Sequence, residues 1–157
     1  MHEYPHHYRV SAVARPQGEV ALDSENLTSL LSAPPAEFGG PGDLWSPETL
    51  LVAAVADCFM LSFRGIARAS KLEWVSLSSE SVGKLERVDG KTRFTGFEIM
   101  ASLFVPPGTN EDRAQRLLEK AEETCLITNS LACDVYLETK IEVIGAVADA
   151  GEALSAD

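Results

Sequence analysis

The apolar and polar positions of the chain fall into segments whose period changes along its length. Tyr8–Ala14 (YRVSAVA) is rich in β-formers, Glu19–Asp23 alternates, and Arg15–Gly18 lies between them as a turn. That pattern predicts a hairpin. Asn26–Pro35 is mixed, with room for one more short strand or a turn, and Phe38–Gly42 (FGGPG) is a loop by composition. From Leu50 to Ala67 the residues are apolar nearly all round, which predicts a central helix buried on most faces. Ser46 suits its cap, Pro47 its first position and Glu48 its positive pole. Arg64, Arg68 and Lys71 gather at the opposite pole.

Two long strands follow, Trp74–Val88 and Thr92–Val105, joined by the turn Asp89-Gly90. Pro106-Pro107-Gly108 stops the second. Thr109 is the expected cap of the next helix, with Asp112 three residues on. Ala114, Leu117, Leu118 and Ala121 form its apolar stripe, and Cys125 falls on the same stripe one turn later. Asn129-Ser130 suggests a short break. Val135–Val143 then alternates as a strand buried on one face. Strand runs set apart from helices point to an α+β fold.

Composition narrows the function classes. At 157 residues and 45% apolar, the chain can bury a real core. The expected organisation is a loose N-terminus over residues 1–7, a single domain over 8–144 and an acidic tail over 145–157. The net charge is −11. Such a chain repels phosphate backbones and anionic lipid, so neither nucleic acid nor a membrane is the expected partner. MHEYPHHYRV has no apolar signal core, and the run Leu50–Phe63, broken by Asp57, is short for a bilayer span. A cytoplasmic protein is expected.

Reducing conditions keep thiols free unless they are catalytic or redox-sensing. There are three cysteines, Cys58, Cys125 and Cys133, with no CxxC pair, which excludes a zinc ribbon or a thioredoxin-like motif. His2, His6 and His7 are read as a solvated terminus, not a metal cluster. No metal or bound cofactor is expected. Cys58 and Cys125 sit on two helices with apolar stripes, so they either face each other or serve as small core residues. A reactive Cys58 must be a thiolate, but mid-helix it gains nothing from the dipole, and apolar burial raises its pKa. An arginine is the cation that never loses its charge, and a carboxylate can fix its plane.

The stretch SPETLLVAAVADCF (Ser46–Phe59) resembles the OsmC/Ohr family of thiol peroxidases, in which a Pro-Glu-x-Leu helix start precedes a reactive cysteine ten residues after the Glu. ETCLITNSL (Glu123–Leu131) resembles the region around the family's second cysteine. The resemblance covers roughly Tyr8–Val143. It implies an OsmC-like fold in an intertwined homodimer. It also implies an antioxidant, stress-response enzyme with Cys58 as peroxidatic and Cys125 as resolving cysteine, joined as a disulfide during turnover. Glu48 matches the family's glutamate and Arg15 its arginine, with Arg9 as the alternative. The implied reductant is an external dithiol, a dihydrolipoyl group on a lipoylated protein.

Ten helical residues rise by ~15 Å, so Glu48 and Cys58 of one unbroken helix cannot share a small substrate. A second chain is expected to supply Glu48. Phe59, Met60, Phe38 and Trp45 are candidates for an apolar mouth favouring organic or fatty-acid hydroperoxides, or else for plain core packing. Asp57 has no assigned catalytic role, because a carboxylate beside a thiol raises its pKa. Cys133 is read as structural. The competing reading is a small-molecule or lipid-binding protein of the same fold with idle cysteines.

Overall fold

The computed structural model describes residues 3–145. Of the terminal segments set apart above, Met1, His2 and residues 146–157 lie outside the described residues. The chain divides into two compact units, Met1–Leu51 and Val52–Asp157.

The first unit holds an antiparallel meander of three short strands, β1 (Ser11–Val13), β2 (Val20–Asp23) and β3 (Leu30–Ser32). Ser11 pairs with Asp23 and Val13 with Ala21, so residues 14–19 form the expected hairpin connection. Helix α1 (Pro47–Ala69) begins in this unit. Its start is fixed by reciprocal bonds. The Thr49 amide donates to Ser46 Oγ at 3.2 Å and the Ser46 amide to Thr49 Oγ1 at 2.8 Å, a capping box with threonine in the third position. At its far end Lys71 adopts φ 53°. The Leu72 amide bonds Ala67 O and the Lys71 amide bonds Arg68 O. Those two bonds form a Schellman stop with lysine where glycine is usual.

The second unit is built on β4 (Ser76–Val88), β5 (Lys91–Val105) and β6 (Asp134–Val143), in the order β4-β5-β6. The β4–β5 pair is a long antiparallel hairpin with a bulge at Lys84/Leu85. Its turn residues Asp89 and Gly90 both have positive φ, as a two-residue turn matched to strand twist requires. Helix α2 (Glu111–Glu123) crosses over to β6, which runs parallel to β5. The cap of α2 is Asn110, whose side chain accepts the Arg113 amide at 2.9 Å. Thr109, the expected cap, instead turns its hydroxyl back onto Pro106 O at 2.8 Å, because the Pro-Pro-Gly turn runs one residue longer than the pattern suggested.

The core takes alternate residues of β5 (Phe97, Ile99, Ala101, Leu103, Val105), one stripe of α2 (Ala114, Leu118, Ala121) and one stripe of α1 (Val55, Phe59, Phe63, Ala67). Thus α1 is not buried on most faces within the chain. One sheet offers one surface, and a helix can bury only the side that meets it. Leu61, on another side, is 51% exposed. At 23 residues α1 is also long and apolar enough to span a bilayer, unlike the shorter run read from the sequence. One stripe of it (Val55, Phe59, Phe63 and Ala67) is fully buried within the chain, and 22% of its apolar window is buried.

Candidate active site

Cys58 sits in the middle of α1, one residue before the core stripe resumes at Phe59. That offset leaves its thiol half-buried at the core's edge. Cys125 does not lie on α2 as the stripe suggested. The helix ends at Glu123, and Cys125 occupies the turn beyond Thr124. Its side chain is fully buried. Hydrogen bonds hold this turn closely. The Cys125 amide donates to Glu122 O at 3.0 Å, and Cys125 O accepts the Asn129 amide at 3.1 Å and the Thr128 hydroxyl at 3.2 Å. Ser130 Oγ donates to Leu126 O at 2.8 Å and Asn129 Nδ2 to Glu123 O at 3.0 Å. A turn tied down at so many points has few ways to move the thiol it carries.

The Cys58 and Cys125 side chains are close enough to act on each other, and Cys58 lines a cleft between them and solvent. This open cleft of about 450 Å³ is lined by Ala54, Asp57, Cys58, Leu61, Ser62, Leu126 and Ile127. Burial works to raise the Cys58 pKa. The Cys125 thiol, the amides of Ile127 and Leu126 and the Ser62 hydroxyl together outweigh it, and Cys58 is held below the ordinary thiol range. Cys125 goes the other way. Burial raises it, and although Thr128 opposes this, donation toward Cys58 and that neighbour's charge keep Cys125 protonated. One sulfur is biased toward thiolate and its neighbour toward thiol.

Glu48 and Arg15 have different surroundings. Glu48 lies ten residues up the unbroken α1, a rise of ~15 Å from Cys58. Its Oε2 is buried without a hydrogen-bond partner among the described residues. Arg15 belongs to the unit Met1–Leu51, just past β1, where it is exposed and makes no ion pair among the described residues. Arg9 is exposed too, and its carbonyl accepts Ser24 Oγ at 3.0 Å. Among the described residues, the groups acting on Cys58 include no cation.

The expected apolar mouth is differently made. Phe59 is core, fully buried. Phe38 and Trp45 belong to the first unit and are exposed. The cleft wall is Ala54, Leu61, Leu126 and Ile127. Leu61 and Ser62 stand three and four residues after Cys58, a spacing that marks a shared helix face and that the reading from sequence passed over. Cys133 is half-buried and unpaired before β6. Among the described residues no three His, Cys, Asp or Glu side chains are grouped to hold a metal ion.

A family model described as OsmC-like protein matches residues 40–140. The uncharacterized protein YmaD of Bacillus subtilis is 27% identical over 125 residues, 78% of this chain and 83% of that one. A solved OsmC-like protein of unknown function from Vibrio cholerae is similar in fold, with a TM-score of 0.78 at 19% identity over 86% of this chain and 99% of its own. A structure from Legionella pneumophila has a TM-score of 0.70 at 27% identity, over 90% of this chain and 100% of its own. That protein is described as an organic hydroperoxide resistance protein and predicted redox protein.

Proposed function

The chain belongs to the OsmC-like protein family and has its α+β fold, and we propose that within it the chain is a thiol-dependent peroxidase for organic hydroperoxides. The observation that carries this reading is the pairing of Cys58, which lines an apolar cleft, with the buried Cys125 beside it, the two biased in opposite directions. A thiolate is the nucleophile peroxide cleavage needs, and a protonated neighbour waits to resolve the product.

The Cys58 thiolate attacks the distal oxygen of ROOH. The O–O bond breaks, RO⁻ leaves and takes a proton to become ROH, and Cys58 becomes a sulfenic acid. The Cys125 sulfur then displaces that hydroxyl as water and the Cys58–Cys125 disulfide forms. Two thiols are oxidised while the peroxide is reduced to an alcohol and water. An external dithiol, of the dihydrolipoyl type carried by lipoylated proteins, reduces the disulfide by exchange. The enzyme itself carries no cofactor in this scheme.

The site draws on a second copy of the chain. An unbroken α1 keeps Glu48 and Cys58 of one chain ~15 Å apart, and Glu48 Oε2 lacks a partner among the described residues. In a homodimer, Arg15 and Glu48 of one copy would serve Cys58 of the other. The guanidinium adds the cation that Cys58 does not have, and the carboxylate holds it in a bidentate pair.

The test is a thiol titration before and after one equivalent of cumene hydroperoxide. The expected result is loss of two thiols, a Cys58–Cys125 link by peptide mass spectrometry, and sustained peroxide consumption once dihydrolipoamide is added. An unchanged thiol count would overturn the reading in favour of a small-molecule or lipid-binding protein.

A further inference from the structure

The cleft at Cys58 carries one charge that the reaction does not use. Apart from Cys58 itself, Asp57 is the only ionisable side chain in the wall formed by the described residues, and it is exposed. The rest of that wall is Ala54, Leu61, Leu126 and Ile127, with Ser62 the one further polar member. The chain as a whole carries a net charge of −11. In the peroxidase reading, on which this inference rests, Arg15 and Glu48 enter from the second copy as opposite charges that offset each other. Asp57 is then left uncompensated beside the reacting sulfur.

We infer that Asp57 is a specificity-determining residue. It makes the cleft a site for neutral apolar hydroperoxides (alkyl, aryl or esterified) and turns away those that bring a carboxylate into it. The apolar wall takes up hydrocarbon from any of these compounds. A second carboxylate in the same space meets Asp57 and no cation of the wall. For like charges ~7 Å apart at a partly solvated site, the penalty corresponds to a roughly three- to tenfold drop in kcat/KM. The rival arrangement would use Arg64. It is exposed, seven residues past Asp57 on the same stripe of α1 and about 10 Å further along the axis. If Arg64 captured the carboxylate of a long-chain substrate, the preference would reverse.

The experiment compares a fatty-acid hydroperoxide as free acid and as methyl ester, with full-length wild type, Asp57→Asn and Arg64→Gln and the same dithiol reductant. The wild type is expected to favour the ester by roughly three- to tenfold in kcat/KM, and the ratio to fall toward one in Asp57→Asn. Any change that the Asp57→Asn substitution makes in the thiolate itself acts on both substrates and cancels in that ratio. A second measurement needs no variant: the wild-type preference shrinks as salt rises to about 0.5 M, because exposed charges are screened over a few ångströms there. A wild-type ratio of one, a preference for the acid that Arg64→Gln abolishes, or an ester preference untouched by Asp57→Asn would each overturn the inference. Turnover of neither compound would overturn the peroxidase reading and this inference with it. Equal turnover of both would overturn this inference alone.

Discussion

Cys58 and Cys125 are the same side chain in two neighbouring settings, and they differ in almost every respect that matters for reactivity. Cys58 is half-buried on a long regular helix, next to an open cleft. Cys125 is fully buried in an irregular turn fixed by hydrogen bonds on both sides. The helix backbone cannot activate its own cysteine, because every amide near Cys58 is spent on the helical ladder, and Ser62 is the one donor that α1 adds. The turn can. The Leu126 and Ile127 amides and the Cys125 thiol favour the charged form of the neighbouring sulfur. Regular structure positions the nucleophile, and irregular structure supplies the donors that stabilise its charge. Burial depth then decides the protonation order, with the deeper sulfur kept as the thiol.

The largest effects come from removing either member of the pair. Cys58→Ser is expected to lower peroxide consumption by at least about 10³-fold, since the neighbouring Cys125 is fully buried and held as the thiol. Cys125→Ser is expected to leave the first turnover intact and to cut sustained turnover by about 100-fold, with Cys58 moving on to the sulfinic acid. Peptide masses after excess peroxide distinguish the two. If Cys125→Ser cycled at the wild-type rate without over-oxidation, the roles drawn from the contrast would be wrong.

How much of this contrast was legible beforehand depended on whether side chains or backbone carried it. Ser46, Pro47 and Glu48 announced the start of α1, and the Ser46–Thr49 bonds are found there. Asp89-Gly90 announced the hairpin turn, since that pair tolerates positive φ where other residues resist it. The alternation of Val135–Val143 appears in β6 as half-buried Val135, Leu137, Thr139 and Ile141 between exposed Tyr136, Glu138 and Lys140. Three features were hidden. A parallel partner for β5 follows from the crossover of α2, not from any pattern in β6 itself. The exposed flank of α1 depends on what one chain can cover, and an apolar pattern does not say how many layers are present. The activating amides belong to Leu126 and Ile127, and a backbone N–H leaves no trace in residue identity. The reading from sequence therefore sought a cation and overlooked the turn.

A mixed-dimer experiment sharpens the comparison by asking which groups come from within the chain and which from outside. Chains bearing Cys58→Ser and chains bearing Glu48→Ala are each expected to be weakly active or inactive alone. Mixed and refolded together at equal amounts, they are expected to regain about a quarter of the wild-type activity, because half the dimers hold one complete site of two. No recovery, with heterodimers verified by mass, would assign Glu48 to its own chain or to no site at all.

The smallest effect is the most direct probe of the donors. The rate of Cys58 alkylation by iodoacetamide follows its thiolate fraction. Because burial raises the Cys58 pKa but its donors outweigh burial, the wild-type profile should reach half-maximum at lower pH than an ordinary thiol does. Cys125 offers the strongest of those donors and Ser62 the weakest. Cys125→Ala should therefore move the profile furthest toward higher pH. Cys125→Ser should move it less, since a hydroxyl still donates, and Ser62→Ala least of all. The direction follows from the sign of the interaction: removing a donor that favours the charged form raises the pKa, so more base is needed for the same reactivity. A profile unmoved by Cys125→Ala, or one moved further by Ser62→Ala, would mean that the thiolate is held by a group outside this turn, and the second chain's arginine would then carry the whole activation.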